Sequence, residues 1–285
     1  MLKISRNFCR FDCLLEYYSY YLKNELEEKQ VIKKNFEGLD SILRLCINDS
    51  LSFYYFIDTI LDAYKEDKFI KSLIINTNFK DFLNNENYKK CINKFNVSED
   101  KNIEFTDELL ETLKVYFNEF KDFKELIYKL SKDQNISNLL NVSPFFYSNP
   151  FFNIFKQINV FFNDEIFLDL LNIEELSKDS KEFCNTILSY LSEHEAQIRK
   201  DINDIAEKWS EKRIHIVEKI IMGLAISEYN VLKTPIQVTI NEYVNLSKEF
   251  CGNKTNMFVN GLLDPLLKNQ RNVGSSFSNG EAPIT

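Results

Sequence analysis

Glycine and proline are scarce in this sequence. The 285 residues include 6 glycines and 5 prolines, and neither type occurs between Leu39 and Ser143. Strand-rich folds need turn residues every few positions, so this scarcity excludes a fold built from many short strands. Long stretches without glycine or proline favour helices joined by polar turns. The sequence therefore predicts an all-α fold.

Residues that could carry catalysis are also few. The two histidines, His194 and His215, lie in helical patterns and outside any recognisable Ser, Cys or acid constellation. The scattered glycines form neither a phosphate-binding loop nor a dinucleotide-binding fingerprint. We therefore predict that the protein is not an enzyme and needs no cofactor.

The six cysteines contain no Cys-x-x-Cys pair. Cys9 and Cys13 would share one helix face, but no histidine nearby completes a zinc site. We predict no metal site, and small buried cysteines in a reducing compartment.

Charge and hydropathy limit the possible partners. A net charge of -8 and a pI near 5.1 argue against coating nucleic acid through bulk electrostatics, although a local basic patch is not excluded. The N-terminus has no uninterrupted apolar core of a signal peptide, and the aromatic stretch at 143–162 is too interrupted for a membrane span. The sequence predicts a cytoplasmic protein.

Basic residues gather at the start of the predicted first helix, residues 2–30. Lys3, Arg6 and Arg10 lie before or within its first turns, where the helix dipole favours acids instead. The cations either bind an anion or form a solvated basic start, and the pattern leaves both open.

A second candidate site lies at the start of the predicted last helix. Lys254, Thr255 and Asn256 precede or open this helix, where free N–H groups and the dipole favour a phosphate. Phe258, one turn on, either stacks on a base or belongs to the core.

Three residues are predicted to be structural. Asn241 follows Ile240 in an apolar helical pattern, where a buried unpaired amide would cost about 1–3 kcal/mol, so we expect it to bond a neighbouring backbone. Gly261, directly after Asn260, removes a side chain and allows another backbone to approach closely.

Consecutive C-terminal segments together resemble a known family. "VEKIIMGLAISEY", "TPIQVTINEYVNLSKEFCG" and "FVNGLLD" look like the successive signatures of NusB-type transcription antitermination factors. Their order and spacing are more specific than any single segment. The clear resemblance covers residues 181–268, and a weaker one covers the first helix.

The resemblance implies a compact helical bundle that binds boxA RNA of ribosomal-RNA leaders together with NusE, a small-subunit ribosomal protein. The complex helps RNA polymerase pass terminators and supports rRNA maturation. Carried over by position, RNA contacts fall on Arg6, Arg10, Thr255, Asn256 and Phe258. Lys254 stands where many members carry an acid, a change that favours RNA. Tyr18 and Glu218 match positions associated with NusE contact.

The predicted organisation has four parts. Residues 1–34 hold the NusB-like first helix, 35–165 an inserted helical region, 166–268 the NusB-like C-terminal core, and 269–285 a disordered tail. Proline at position 265 is expected to end or kink the last helix. Two alternatives stay open: a helical protein-interaction scaffold without RNA binding, and a NusB-like module acting in rRNA modification or ribosome biogenesis.

Overall fold

The computed structural model describes residues 2–26, 38–71, 85–97, 106–119, 123–160, 169–170, 172–207, 214–251 and 253–277. Regular structure within these ranges is helical, which confirms the predicted all-α fold. The helices in chain order are α1 (Arg6–Leu26), α2 (Gly38–Ala63), α3 (Glu86–Lys94), α4 (Asp107–Glu119), α5 (Phe123–Leu130), α6 (Gln134–Leu139), α7 (Asn149–Val160), α8 (Ile173–Glu193), α9 (Glu195–Ala206), α10 (Ile216–Leu232), α11 (Ile236–Cys251) and α12 (Asn253–Phe277). None of them is both long and apolar enough to span a bilayer.

The chain forms two compact units. Unit 1 comprises residues 1–4 and 40–177, and unit 2 comprises residues 5–39 and 178–285. Helix α1 therefore belongs to the same unit as α9–α12, although most of unit 1 separates them in sequence. The sequence had placed this inserted region at 35–165.

Local caps begin helices of unit 1. The Asn85 side chain accepts hydrogen bonds from the backbone N–H groups of Asn87 and Tyr88, at 2.8 and 3.0 Å, and so caps α3. Asp133 caps α6 in the same way. Each cap satisfies donors that the first helical turn leaves without an intrahelical acceptor.

An aromatic cluster forms part of the core of unit 1. The ring centroid of Phe53 lies 5.2 Å from that of Phe146 and 6.0 Å from that of Phe155, and all three residues are buried. Helix α5 packs against α7 beside this cluster. Buried aromatic rings at these spacings contribute area burial and favourable ring contacts.

Helix α10 is the central helix of unit 2. Every residue from Ile220 to Glu228 is buried, and the helix packs against α1, α9, α11 and α12. A helix buried around its whole circumference lies inside its domain. Gly223 lets α8 approach, since an added Cβ would lie 2.9 Å from Cδ1 of Leu191.

Helix α12 continues through Pro265 and so does not end there, which was one of the two predicted outcomes. Leu262, Leu263, Leu266 and Leu267 on either side are all buried. Burying each leucine stabilises the fold by about 1.5–3 kcal/mol, which together exceeds the cost of an interior proline. The helix extends to Phe277, so part of the segment predicted to be disordered is helical, and residues 278–285 lie outside the described ones.

Candidate nucleic-acid interface

Arg10 lies inside unit 2 instead of at its surface. Its Nε and Nη2 atoms donate to the two carboxylate oxygens of Glu228 at 2.8 and 2.7 Å, and its Nη1 donates to Glu242 at 2.9 Å. Arg10 is 5% exposed. A buried guanidinium with these internal partners is not accessible to a phosphate. Arg10 therefore has a structural role in the free chain and does not occupy the surface position that its predicted RNA contact requires.

Glu228 is the centre of this network, which joins α1, α10 and α11. Its carboxylate also accepts hydrogen bonds from Tyr243 Oη at 2.9 Å and Thr234 Oγ1 at 3.0 Å. Burial disfavours the charged carboxylate, but hydrogen bonds and the charge of Arg10 outweigh burial and hold the pKa of Glu228 below its ordinary value. The network fixes α1 against the C-terminal helices by ionised, hydrogen-bonded groups.

Burial and the Glu228 charge act on Tyr243 in the opposite direction. Burial, followed by repulsion from the Glu228 carboxylate, raises the pKa of Tyr243 well above its ordinary value. The phenol therefore stays a neutral donor to Glu228 at physiological pH.

Asn241 does not make the predicted buried contact, because it is exposed on α11. Its neighbours Ile240 and Tyr243 are buried. Glu242, which lies between them in sequence, accepts the hydrogen bond from Arg10. Successive helical residues point about 100° apart, so an error of one residue changes the assigned face. Asn260 is exposed and Gly261 is half-buried on α12.

Arg6 is the predicted cation of α1 that stays exposed in unit 2. Its guanidinium carbon lies 4.4 Å from the ring centroid of Phe183, a residue of α8. This cation–π contact holds the side chain at the surface with its donors accessible.

Lys3 is exposed as well, but it belongs to unit 1. Its backbone N–H donates to Gln157 Oε1 and its carbonyl accepts from Gln157 Nε2, both at 2.9 Å. The segment before α1 is thus attached to α7, and the Lys3 ammonium is left to solvent.

Helix α1 packs against the end of α11, the helix that precedes α12. The rings of Phe11 in α1 and Phe250 in α11 lie 5.1 Å apart. The side chains of Lys254 and Thr255 lie outside the described ones, although the backbone from Asn253 onward is helical. Unit 2 therefore contains both Arg6 of α1 and the N-terminus of α12, the end of a helix that favours anions.

Phe258 is buried, which agrees with the core position, one of the two alternatives that the sequence left open for it. It is 8% exposed, whereas Met257 beside it is 76% exposed and Asn256 is half-buried. Phe258, Val259, Leu262 and Leu263 form the inward stripe of α12. That periodicity, visible in the sequence, would have placed Met257 and Asn260 on the outer face.

The predicted partner-contact residues differ in accessibility. Tyr18 of α1 is half-buried and keeps a surface-accessible part. Glu218 is 4% exposed, and its Oε2 accepts the backbone N–H of His215 at 2.8 Å. The carboxylate therefore caps the N-terminus of α10. The structure corrects the predicted partner contact of Glu218 to a capping role.

Groups with catalytic potential have structural surroundings in the described residues. His194 is exposed and stacks on Tyr190 with 4.0 Å between ring centroids. The six cysteines all lie within the described ranges and form no disulfide there, and all except the half-buried Cys251 are buried. In the part of the chain that the structure describes, no group of three or more His, Cys, Asp and Glu residues could hold a metal ion.

Comparison with known proteins gives a consistent family. The sequence model of a protein family, described as "NusB family", matches residues 151–268 of this chain. A transcription antitermination protein NusB of Elusimicrobium minutum is 33% identical over 111 residues, which cover 36% of this chain and 79% of that protein. The transcription antitermination protein NusB of Methylacidiphilum infernorum is 35% identical over 106 residues, which cover 37% of this chain and 74% of that protein. No solved structure matches this chain.

Proposed function

Because the chain belongs to the NusB family, we propose that it is a transcription antitermination factor that binds boxA-type RNA together with NusE. It would act in the cytoplasm within the RNA polymerase antitermination complex, promote transcription of rRNA operons and support rRNA maturation. In this role the protein binds and positions other molecules and performs no catalysis.

One arrangement carries the proposal. Helix α1, distant in sequence, packs with the family-like helices α10–α12 in unit 2 through the Phe11–Phe250 contact and the Arg10 ion pairs. The family resemblance assigns RNA contact to these two places, the start of α1 and the start of α12. Both places belong to unit 2, and this common location supports a single RNA surface.

The groups of this surface suit single-stranded RNA. Arg6 offers an exposed guanidinium, and the start of α12 offers backbone N–H groups with the positive end of the helix dipole. Lys254 and Thr255 belong to this segment by sequence, the half-buried Asn256 adds a polar side chain, and the exposed Met257 provides an apolar contact for a base. Phosphate contacts position the strand, and base contacts select it.

NusE would supply what unit 2 lacks. The chain carries a net charge of -8, and Arg10 is used internally, so RNA affinity of the chain alone is expected to be weak. A partner bound along the Tyr18 face of α1 would extend the surface and add positive charge. We propose that binding is tight only in the ternary complex.

The burial of Arg10 favours one alternative, a helical protein-interaction scaffold that has lost RNA contact. Such a scaffold would bind NusE without any boxA preference. The two functions therefore differ in a measurable property, the discrimination between RNA sequences.

The proposal is tested by fluorescence anisotropy with a boxA oligonucleotide and a scrambled control, with and without NusE. We expect boxA preference that NusE strengthens. Arg6→Gln should weaken boxA binding and lower the salt slope by about 0.7, the value for one phosphate contact on a single strand. Lys200→Gln, the matched loss of one exposed charge on α9, should leave both unchanged. NusE binding without boxA preference would establish the scaffold function instead.

A further inference from the structure

A cluster of lysines and aromatic rings lies on α5, on the turn that follows it and on α7 in unit 1. We call it the lysine–aromatic patch, and it consists of Tyr128, Lys129, Lys132, Phe152 and Lys156. All five residues belong to unit 1, whereas the proposed boxA surface lies on unit 2. No residue of the patch serves in that surface.

The two rings form a supported platform. The ring centroids of Tyr128 and Phe152 are 5.9 Å apart. Phe155 stacks on Phe152 with 5.4 Å between centroids, and Phe146 meets it edge-on at 6.1 Å. Tyr128 and Phe152 are each half-buried, so the rings are held from behind while part of each stays accessible.

Amino groups cover the accessible side of both rings. Lys132 Nζ lies 4.2 Å from the Tyr128 centroid, and Lys156 Nζ lies 4.9 Å from the Phe152 centroid. Both lysines are exposed, and neither forms an ion pair with an acid of the described ranges. A hydrogen bond from Lys132, with the charges of Lys132, Lys156 and Lys129, lowers the pKa of Tyr128. The patch is therefore locally positive on an acidic chain.

Acids close to the patch in sequence offset this charge only in part. Glu125 lies one turn before Lys129 on α5 and is exposed. The Asp133 carboxylate, next to Lys132, is directed to the start of α6 and to Tyr116 Oη at 2.7 Å. Lys129 shares α5 with the exposed Glu125, whereas Lys132 and Lys156 lie over the rings.

We propose that the lysine–aromatic patch is a second contact for single-stranded RNA, resting on the proposed RNA-binding function and extending it to RNA that flanks boxA. Bases stack on Tyr128 and Phe152, and the amino groups of Lys132 and Lys156 move from the ring faces to the phosphates. Stacking platforms lined with cations bind single strands with little sequence preference, because every base has a π-face. The long inserted region would then lengthen the RNA footprint of the protein.

The chemistry of the patch fits RNA better than a lipid surface. Membrane-surface sites insert protruding apolar side chains into the bilayer. Here the aromatic rings are half-buried and capped by ammonium groups, and the patch contains no exposed aliphatic side chain. Affinity for anionic vesicles is kept as an outcome of the test.

The test uses the full chain with NusE and three RNAs. These are a short boxA oligonucleotide, the same oligonucleotide with a single-stranded extension of about 10 nucleotides, within the site size of such platforms, and the extension alone. The variants are Lys132→Gln/Lys156→Gln and Tyr128→Leu. The control, Lys68→Gln/Lys90→Gln, removes the same charge from other exposed positions of unit 1.

We expect the extension to tighten binding in the wild type and the control, and not in the patch variants. The salt slope for the extended RNA should fall by about 1.4 in the double-lysine variant, since two phosphate contacts of about 0.7 each are lost. The short boxA oligonucleotide should bind all variants equally. Circular dichroism melts verify that each variant is folded.

The outcomes separate this proposal from the proposed function. If boxA binds and the extension tightens every variant equally, or gives no gain in the wild type, the patch proposal is overturned while the proposed function stands. If the protein shows no preference for boxA, but binds the extension alone and loses this binding in the patch variants, the proposed function fails and the patch proposal survives. Vesicles containing anionic lipid that bind through the patch, without any RNA gain, would overturn it in favour of a membrane contact.

Discussion

A buried cation of unit 2 and two exposed cations of unit 1 have opposite roles. In unit 2, Arg10 is buried and its donors satisfy Glu228 and Glu242. In unit 1, Lys132 and Lys156 are exposed and lie over aromatic rings. Neither the type of a basic residue nor its position in the sequence therefore predicts the role of its side chain. The groups that surround it decide whether it stabilises the fold or stays available to a ligand.

The largest effect should follow from breaking the buried network. Glu228→Gln leaves Arg10 buried without its bidentate partner, and we expect it to lower the free energy of unfolding by about 3–5 kcal/mol. Urea unfolding of the full chain measures this loss. Glu242→Gln is the matched control, because its side chain is 35% exposed and solvent can replace it. Equal losses in both variants would contradict the central place of Glu228.

The pH dependence of stability should come from the same carboxylate. The pKa of Glu228 is lowered from 4.5 in the folded state, so its contribution is present above pH 4.5 and is lost as the pH falls through the folded pKa. Unfolding measured between neutral pH and pH 3 should show the wild type approaching Glu228→Gln in acid. A constant difference between the two proteins across that range would exclude ionised Glu228 as the source.

An intermediate effect is expected at the lysine–aromatic patch. Lys132→Gln/Lys156→Gln removes two exposed cation–π contacts of about 0.5–1 kcal/mol each. The free energy of unfolding should therefore fall by less than about 2 kcal/mol, as thermal and urea unfolding can measure. A loss as large as that of Glu228→Gln would show that these lysines are structural and would remove the contrast between the units.

The smallest effect is expected at Arg6, an exposed cation in unit 2. Arg6→Gln removes one cation–π contact with Phe183 and should cost about 0.5–1 kcal/mol of stability. A loss of stability similar to that of the lysine variants would show that exposure of the cation, and not the unit that contains it, decides how much a substitution costs. If Arg6→Gln destabilised the chain as strongly as Glu228→Gln, burial would not be the deciding property.

The sequence predicted the fold class and the family, because both depend on features that extend over many residues. Scarce glycine and proline predicted helices, and the ordered motifs predicted the family. The fates of individual polar residues were harder to predict. The partner of Arg10 lies 218 residues away in sequence, so no local pattern indicates that its guanidinium is buried.

Other differences at the candidate site concern which face of a helix a residue occupies. Asn241 was assigned to the inner face of α11, although Ile240 and Tyr243 mark its inward stripe, and of the two positions left open for Phe258 the structure has the core one. Glu218 was assigned to a partner, whereas the backbone N–H of His215 at the start of α10 already uses its carboxylate. The cluster of Tyr128 and Phe152 with lysines from two helices requires the packing of α5 on α7, which no motif encodes.

The central claim is that this chain binds boxA RNA together with NusE. Sedimentation velocity of a labelled boxA oligonucleotide with the chain, with NusE and with both tests it most directly. We predict a ternary complex that forms at concentrations where neither protein alone shifts the RNA, and that a scrambled RNA does not form. Equal sedimentation of boxA and scrambled RNA in the presence of both proteins would contradict the claim.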